Sequence, residues 1–138
     1  MTNEYGEKDV AFQKEIIDAL VLRHTINLNR EVGTAYLQAE WEDKINPCVT
    51  VTRDAIRTAT GRDKMRDKVI EQYEVALRRP GFDVARLDED TLKICVSPIR
   101  SPKNEFNSVT ELRRKNEDEI EAAKEADPDC DLAAPPLY

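Results

Sequence analysis

The sequence predicts an α+β fold that is mainly helical, and three features carry the prediction. Residues 8–28 repeat apolar side chains at helical spacing. Residues 48–52, 82–87 and 91–96 alternate apolar and polar side chains as strands do. Between the first of these strands and the other two, residues 53–79 return to the helical period with a break at Thr60 and Gly61.

Taken in order, residues 1–7 read as a frayed terminus. The next stretch puts Val10, Ile17, Leu20, Val21, His24 and Leu28 on one side of a helix, widened by Phe12, Ile16 and Ala19. So broad an apolar stripe must be covered, either by the rest of this chain or by the same helix of a second copy. Thr25 to Asn29 weaken this helix, and Gly33 marks a further break. A second helix is expected over residues 34–44, with Leu37 and Trp41 as its apolar face, ended by Asn46-Pro47 because the residue before proline is pushed out of helical angles.

Residues 47–98 form the central unit. Cys48 to Thr52 make a strand, and Thr52 can accept from the free amides of a short helix over residues 53–59, whose Ile56 and Ala59 face inward and whose Arg53 and Arg57 face outward. Thr60-Gly61 supplies a tight turn. A longer helix is expected over residues 62–79, burying Met65, Val69, Tyr73 and Ala76 with Ile70 and Leu77 beside them. One flank then receives Lys64, Lys68, Gln72 and Arg79, and the other Asp63, Asp67, Glu71 and Glu74. Arg79-Pro80-Gly81 stops the helix. A hairpin follows, turning at Asp88-Glu89-Asp90, with Phe82, Val84, Leu92, Ile94 and Val96 inward and Arg86 and Lys93 outward.

Residues 97–102 carry two prolines and read as an extended linker. Ser108 stands three residues before Glu111, the spacing of a capping box, and starts a helix expected to end near Ala126. Val109, Leu112, Ile120 and Ala123 give that helix a thin apolar line. Beyond it an acidic, proline-containing segment is expected to be disordered. The chain thus divides into residues 1–46 for packing or dimerisation, 47–98 as the core, and 99–138 as linker, helix and tail.

Charge is distributed unevenly along this plan. The net charge is −7 over 138 residues, which for an even distribution would repel nucleic acid. Residues 53–79, however, hold 8 basic and 5 acidic side chains, whereas residues 1–46 hold 5 and 9, and residues 103–138 hold 5 and 10. The positive segment is the two-helix unit. Its Arg53, Arg57, Arg62, Lys64, Lys68, Gln72 and Arg79, with Arg86 and Lys93 from the hairpin, are the candidate nucleic-acid-binding residues. Lys and Arg attract phosphate, and Gln or Arg can read base edges. Acidic residues at the hairpin tip oppose such contact there.

Other chemistry finds little support. Gly6, Gly33, Gly61 and Gly81 are scattered singly, and GxSxG, HExxH and CxxC patterns are absent. The sequence points to no catalytic residue, cofactor or metal. Cys48, Cys95 and Cys130 are odd in number and widely spaced, so Cys48 and Cys95 are expected to be free thiols filling strand positions. The longest apolar run is Ala19 to Leu22, far short of the roughly 20 residues of a membrane helix. The first twenty residues lack the marks of a secretory signal. A cytoplasmic chain with no membrane association is therefore expected.

In its element order, through VTVT, RDAIRTATG, RDKMRDKVIEQYEVAL and the FDVARL and TLKICV hairpin, the central unit resembles winged-helix DNA-binding proteins. That resemblance covers about 50 residues and implies a non-enzymatic helix-turn-helix protein, a small regulator of transcription or accessory factor on double-stranded DNA, dimerising through its N-terminal helix. The alternative is an acidic adaptor or inhibitor that binds protein through the C-terminal helix and tail.

Overall fold

The computed structural model describes residues 6–31, 46–96 and 105–134. The helix expected over residues 34–44 with Trp41, and the linker at 97–102, lie outside the described residues. Among the described residues four helices and a four-stranded mixed sheet make an α+β fold: α1 (Gly6–Glu31), β1 (Cys48–Thr52), α2 (Arg53–Thr60), α3 (Asp67–Arg78), β2 (Asp83–Asp88), β3 (Thr91–Cys95), β4 (Glu105–Phe106) and α4 (Val109–Ala126).

The strands lie in the order β2-β3-β1-β4, antiparallel except for the parallel pair of β1 with β4. Two backbone bonds fix the register of β1 against β3. Val96 N donates to Pro47 O at one end, and Arg53 N donates to Asp90 O at the other. Hydrogen-bonded pairs alternate with non-bonded ones, so Cys48 and Cys95 face each other as a non-bonded pair, the kind in which side chains approach most closely.

Those two residues are joined as a disulfide, with Cα atoms 4.0 Å apart. Free thiols were the sequence expectation, because a separation of 47 residues hides the pairing; strand register creates it. Cys130 remains a free cysteine.

One hydrophobic core draws on α1, the sheet, α2, α3 and α4. Phe12, Ile16, Ala19 and Leu20 of α1 meet Val49 and Val51 of β1, Ile56 of α2, Ile70, Tyr73 and Leu77 of α3, Leu92 and Ile94 of β3, and Leu112 of α4. Phe12, Ile16, Ala19, Leu20 and Leu28 of the expected α1 stripe are therefore buried within their own chain, whereas Val10 and Val21, expected on the same stripe, are exposed. The helix also runs on through Thr25 to Asn29, where Ile26 and Leu28 are buried and outweigh weak local propensity.

Local signals set several boundaries. Thr52 caps α2 through its side chain, accepting from Ala55 N, and Ser108 caps α4 by accepting from Glu111 N. Gly61 ends α2 in the left-handed region at φ 74°, its N–H bonded to Arg57 O. The expected inward position of Ala59 is corrected: Ala59 is exposed, and Thr60 is buried with its hydroxyl on Ile56 O.

The helix expected over residues 62–79 is also shorter, beginning at Asp67. Arg62 turns inward after Gly61, and the chain stays irregular until Arg66, whose extended angles precede the helix. The segment after α4 is ordered through Ala134. Cys130 N bonds to Asp127 O, Ala134 N bonds to Asp131 O, and Asn29 Nδ2 donates to the carbonyls of Leu132 and Ala134. Residues 127–134 thus form turns held against α1 by Asn29, where the sequence alone suggests disorder.

Helices α1 and α4 run in the same direction. Glu15 pairs with Arg113, Asn116 Nδ2 donates to Ala19 O, and Arg23 pairs with Glu119, so partner numbers rise together. Since 26 residues at 1.5 Å make α1 about 39 Å long, it acts as an axle. The turn before α3 docks at its N-terminal end through Asp9, while the second half of α4 lies along its C-terminal half.

Candidate functional site

The nine predicted binding residues separate into two groups. Arg53, Arg62, Arg86 and Lys93 are held by intramolecular partners. Arg62 is buried, with both terminal nitrogens on the Asp9 carboxylate, Nη2 to Oδ2 at 2.7 Å, and Nη1 also 3.3 Å from Thr60 Oγ1. The Tyr73 hydroxyl donates to the same carboxylate at 2.8 Å. Burial first, and the hydrogen bond and charge of Asp9 next, push the Tyr73 hydroxyl far above the usual phenol range, so it stays a donor. This network joins α1, the α2–α3 turn and α3, and removes Arg62 from the predicted ridge.

Arg53 is not outward-facing as expected. Its side chain is only 19% exposed, with Nε on Asp90 Oδ1 at 2.8 Å and Nη2 on Asp67 Oδ1 at 2.9 Å. It also donates to the carbonyls of Met65 and Glu89. One guanidinium thereby ties the hairpin tip to the starts of α2 and α3. Its hydrogen bond, then its charge, holds the Asp67 carboxyl below the usual carboxylate range. That contact stabilises the fold above the ordinary carboxylate pKa and is lost as pH falls through the lower folded-state value.

Arg86 lies 3.6 Å from Glu74 and donates to Glu89 O, and Lys93 pairs with Glu105 of β4. Neither projects as a free cation. Among the acidic residues of the tip, Asp90 is matched by Arg53, while Asp88 caps the turn by accepting from Asp90 N.

The remaining residues are exposed. Arg57 pairs with Asp54 one turn away at 3.1 Å, a solvated contact worth about 0–1 kcal/mol. Lys64, Lys68 and Arg79 are exposed and make no ion pair with a described residue. Lys68, Gln72 and Arg79 share a groove with Val75 and Ala76 of α3 and Gly6, Val10 and Gln13 of α1.

At about 100° per residue, Lys68, Gln72, Val75 and Arg79 fall within a sector of roughly 60° and span about 16 Å. The buried Ile70, Tyr73 and Leu77 occupy the opposite side of α3. The sorting of charge expected along this helix is less clean than its sequence suggests. Glu71 lines the same groove as Lys68, and Glu74 turns toward Arg78 and Arg86.

Two cations outside the predicted set stand near the turn that precedes α3. Arg66 is exposed just before α3, and Lys8 of α1 brings its Nζ to the turn, 3.7 Å from where a side chain at Gly61 would begin. Nothing local in the sequence marks Lys8, which lies in an acidic stretch. Among the described residues no group of three or more His, Cys, Asp or Glu is arranged to hold a metal, and no helix is long and apolar enough to cross a membrane.

No family model, curated protein or solved structure matches the chain.

Proposed function

We propose that the chain binds double-stranded DNA through the exposed face of α3, as a small non-enzymatic regulator or accessory factor. The observation that carries this reading is the strip Lys68, Gln72, Val75 and Arg79, set opposite the buried stripe of its helix, with both cations free of carboxylate partners among the described residues. Among the described residues the order α1-β1-α2-α3-β2-β3, with β2-β3-β1 antiparallel, supports the resemblance to winged-helix proteins, in which a helix placed like α3 enters the major groove.

In this reading Lys64, Lys68 and Arg79 meet phosphates, with Arg57, Arg66 and Lys8 near the turn. Gln72 and Val75 face base edges, where an amide can pair with adenine and a branched methyl can pack on thymine. The hairpin tip, carrying acidic side chains and anchored by Arg53, stays off the duplex. A cytoplasmic location belongs to the same proposal.

Fluorescence anisotropy on a labelled duplex tests it. Reversing both charges in Lys68→Glu with Arg79→Glu is expected to weaken binding at least 30-fold, since each lost charge-assisted contact contributes about 1 kcal/mol or more and each new carboxylate adds repulsion. Lys14→Glu, at an exposed position of α1 that is not part of the groove lining, should leave affinity unchanged. Equal binding by all three proteins, or none by the wild type, defeats the proposal.

A further inference from the structure

Among the described residues four large apolar side chains are exposed, and two of them, Val10 at 65% and Val75 at 53%, line one groove between α1 and α3. The groove measures about 540 Å³, has Ala76 beside these valines, and is rimmed by Lys68, Gln72 and Arg79, with Glu71 and the Arg62-bound Asp9 also in its lining. Water contacts apolar surface there at a free-energy cost that an apolar partner would relieve. The cations at the rim favour a partner that is also acidic.

The chain carries such a surface elsewhere. The second half of α4 exposes a shallow strip in which half-buried Ile120 is bracketed by Glu117, Glu121 and Glu125, with Lys124 beside them. Asp118, Asp127, Asp129 and Asp131 add exposed negative charge at the same end. Apolar centre and acidic border match the groove's apolar floor and cationic rim.

The strip cannot occupy the groove of its own chain. Glu119 is level with Arg23, and thirteen helical residues separate Arg23 from Val10, about 20 Å along α1.

We infer that the groove between α1 and α3 receives the Ile120 face of α4 from a second copy of this chain. Val10 and Val75 cover Ile120, and Lys68 and Arg79 face Glu117, Glu121 and Glu125. Because the groove and the strip lie at opposite ends of α1, the contact is head-to-tail in character. It stands on the groove alone and does not require the DNA reading, although it would mask the same face of α3.

Sedimentation velocity of the full chain without DNA reads this association. The expected result is a mass that rises with protein concentration at low salt and returns to that of the monomer near 1 M salt, where the screening length falls to about 3 Å. Lys68→Glu alone and Glu121→Lys alone, both exposed substitutions, should each abolish the rise. Their equimolar mixture should restore it, because in the mixed contacts residues 68 and 121 again carry opposite charges. A monomer at every concentration and salt, or a mixture no more associated than its components, overturns the inference. DNA binding measured in parallel fails or succeeds separately.

Discussion

Replacing Asp9 with alanine is expected to cost about 3–5 kcal/mol of stability, because it takes the two-pronged Asp9 carboxylate away from the buried Arg62 guanidinium and the acceptor away from the Tyr73 hydroxyl. For a chain of this size that lowers the thermal midpoint by roughly 10 °C or more. The loss measures a broken pair, not the net worth of an intact one. Desolvation of both ions offsets much of their attraction, so Asp9→Leu with Arg62→Met should recover most of what Asp9→Ala loses. Circular dichroism melts of the wild type, the single variant and the double variant check both statements. A single variant melting with the wild type, or a double variant as weak as the single, would contradict the role given to this network.

Reduction of the Cys48–Cys95 bond has an effect of similar size through a different route. The bond closes a loop across a separation of 47 residues, and loop closure on that scale restricts the unfolded chain by about 4 kcal/mol. With a urea dependence of about 2 kcal/mol per molar, the unfolding midpoint should drop by roughly 2 M on adding a reductant. The folded sheet itself should change little. β1 and β3 keep their ladder from residue 47 to residue 96 whether or not the sulfurs are joined. A urea midpoint that ignores reductant would mean that the bond contributes nothing to stability. Such bonds persist mainly in oxidising compartments, so the thiol state of the protein isolated under alkylating conditions also bears on the cytoplasmic proposal.

Much of the fold was legible because its signals are local. Alternation marked the hairpin strands, Thr52 and Ser108 marked two helix starts, and spacing along residues 67–78 identified Ile70, Tyr73 and Leu77 as inward. What escaped depends on distant partners. Arg62 reads as one more exposed helix cation until Asp9, 53 residues earlier, is placed beside it. Arg53 reads as outward until the hairpin folds its Asp90 back onto it. Cys48 and Cys95 read as unrelated thiols until strand register brings them opposite one another. Residues 127–134 read as a solvated tail until Asn29 offers its amide to them.

The same distinction governs the candidate site. Lys64, Lys68 and Arg79 lie exposed as their sequence positions suggest, because a solvated cation needs no partner, and the neutral Gln72 is exposed with them. Arg53, Arg62, Arg86 and Lys93 were assigned to a ridge because sequence counts charge without pairing it. Val10 and Val75 went unremarked as surface features, since helical spacing alone placed Val10 on the apolar stripe and gave Val75 no role.

The salt dependence of duplex binding tests the central claim most directly. If Lys64, Lys68 and Arg79 each neutralise a phosphate, a plot of log affinity against log salt should have a slope of about −2.7, a loss of about 40-fold between 50 and 200 mM. A slope near zero, or duplex affinity unaltered when Lys68 and Arg79 are both reversed, would show that the exposed face of α3 does not hold a nucleic-acid backbone.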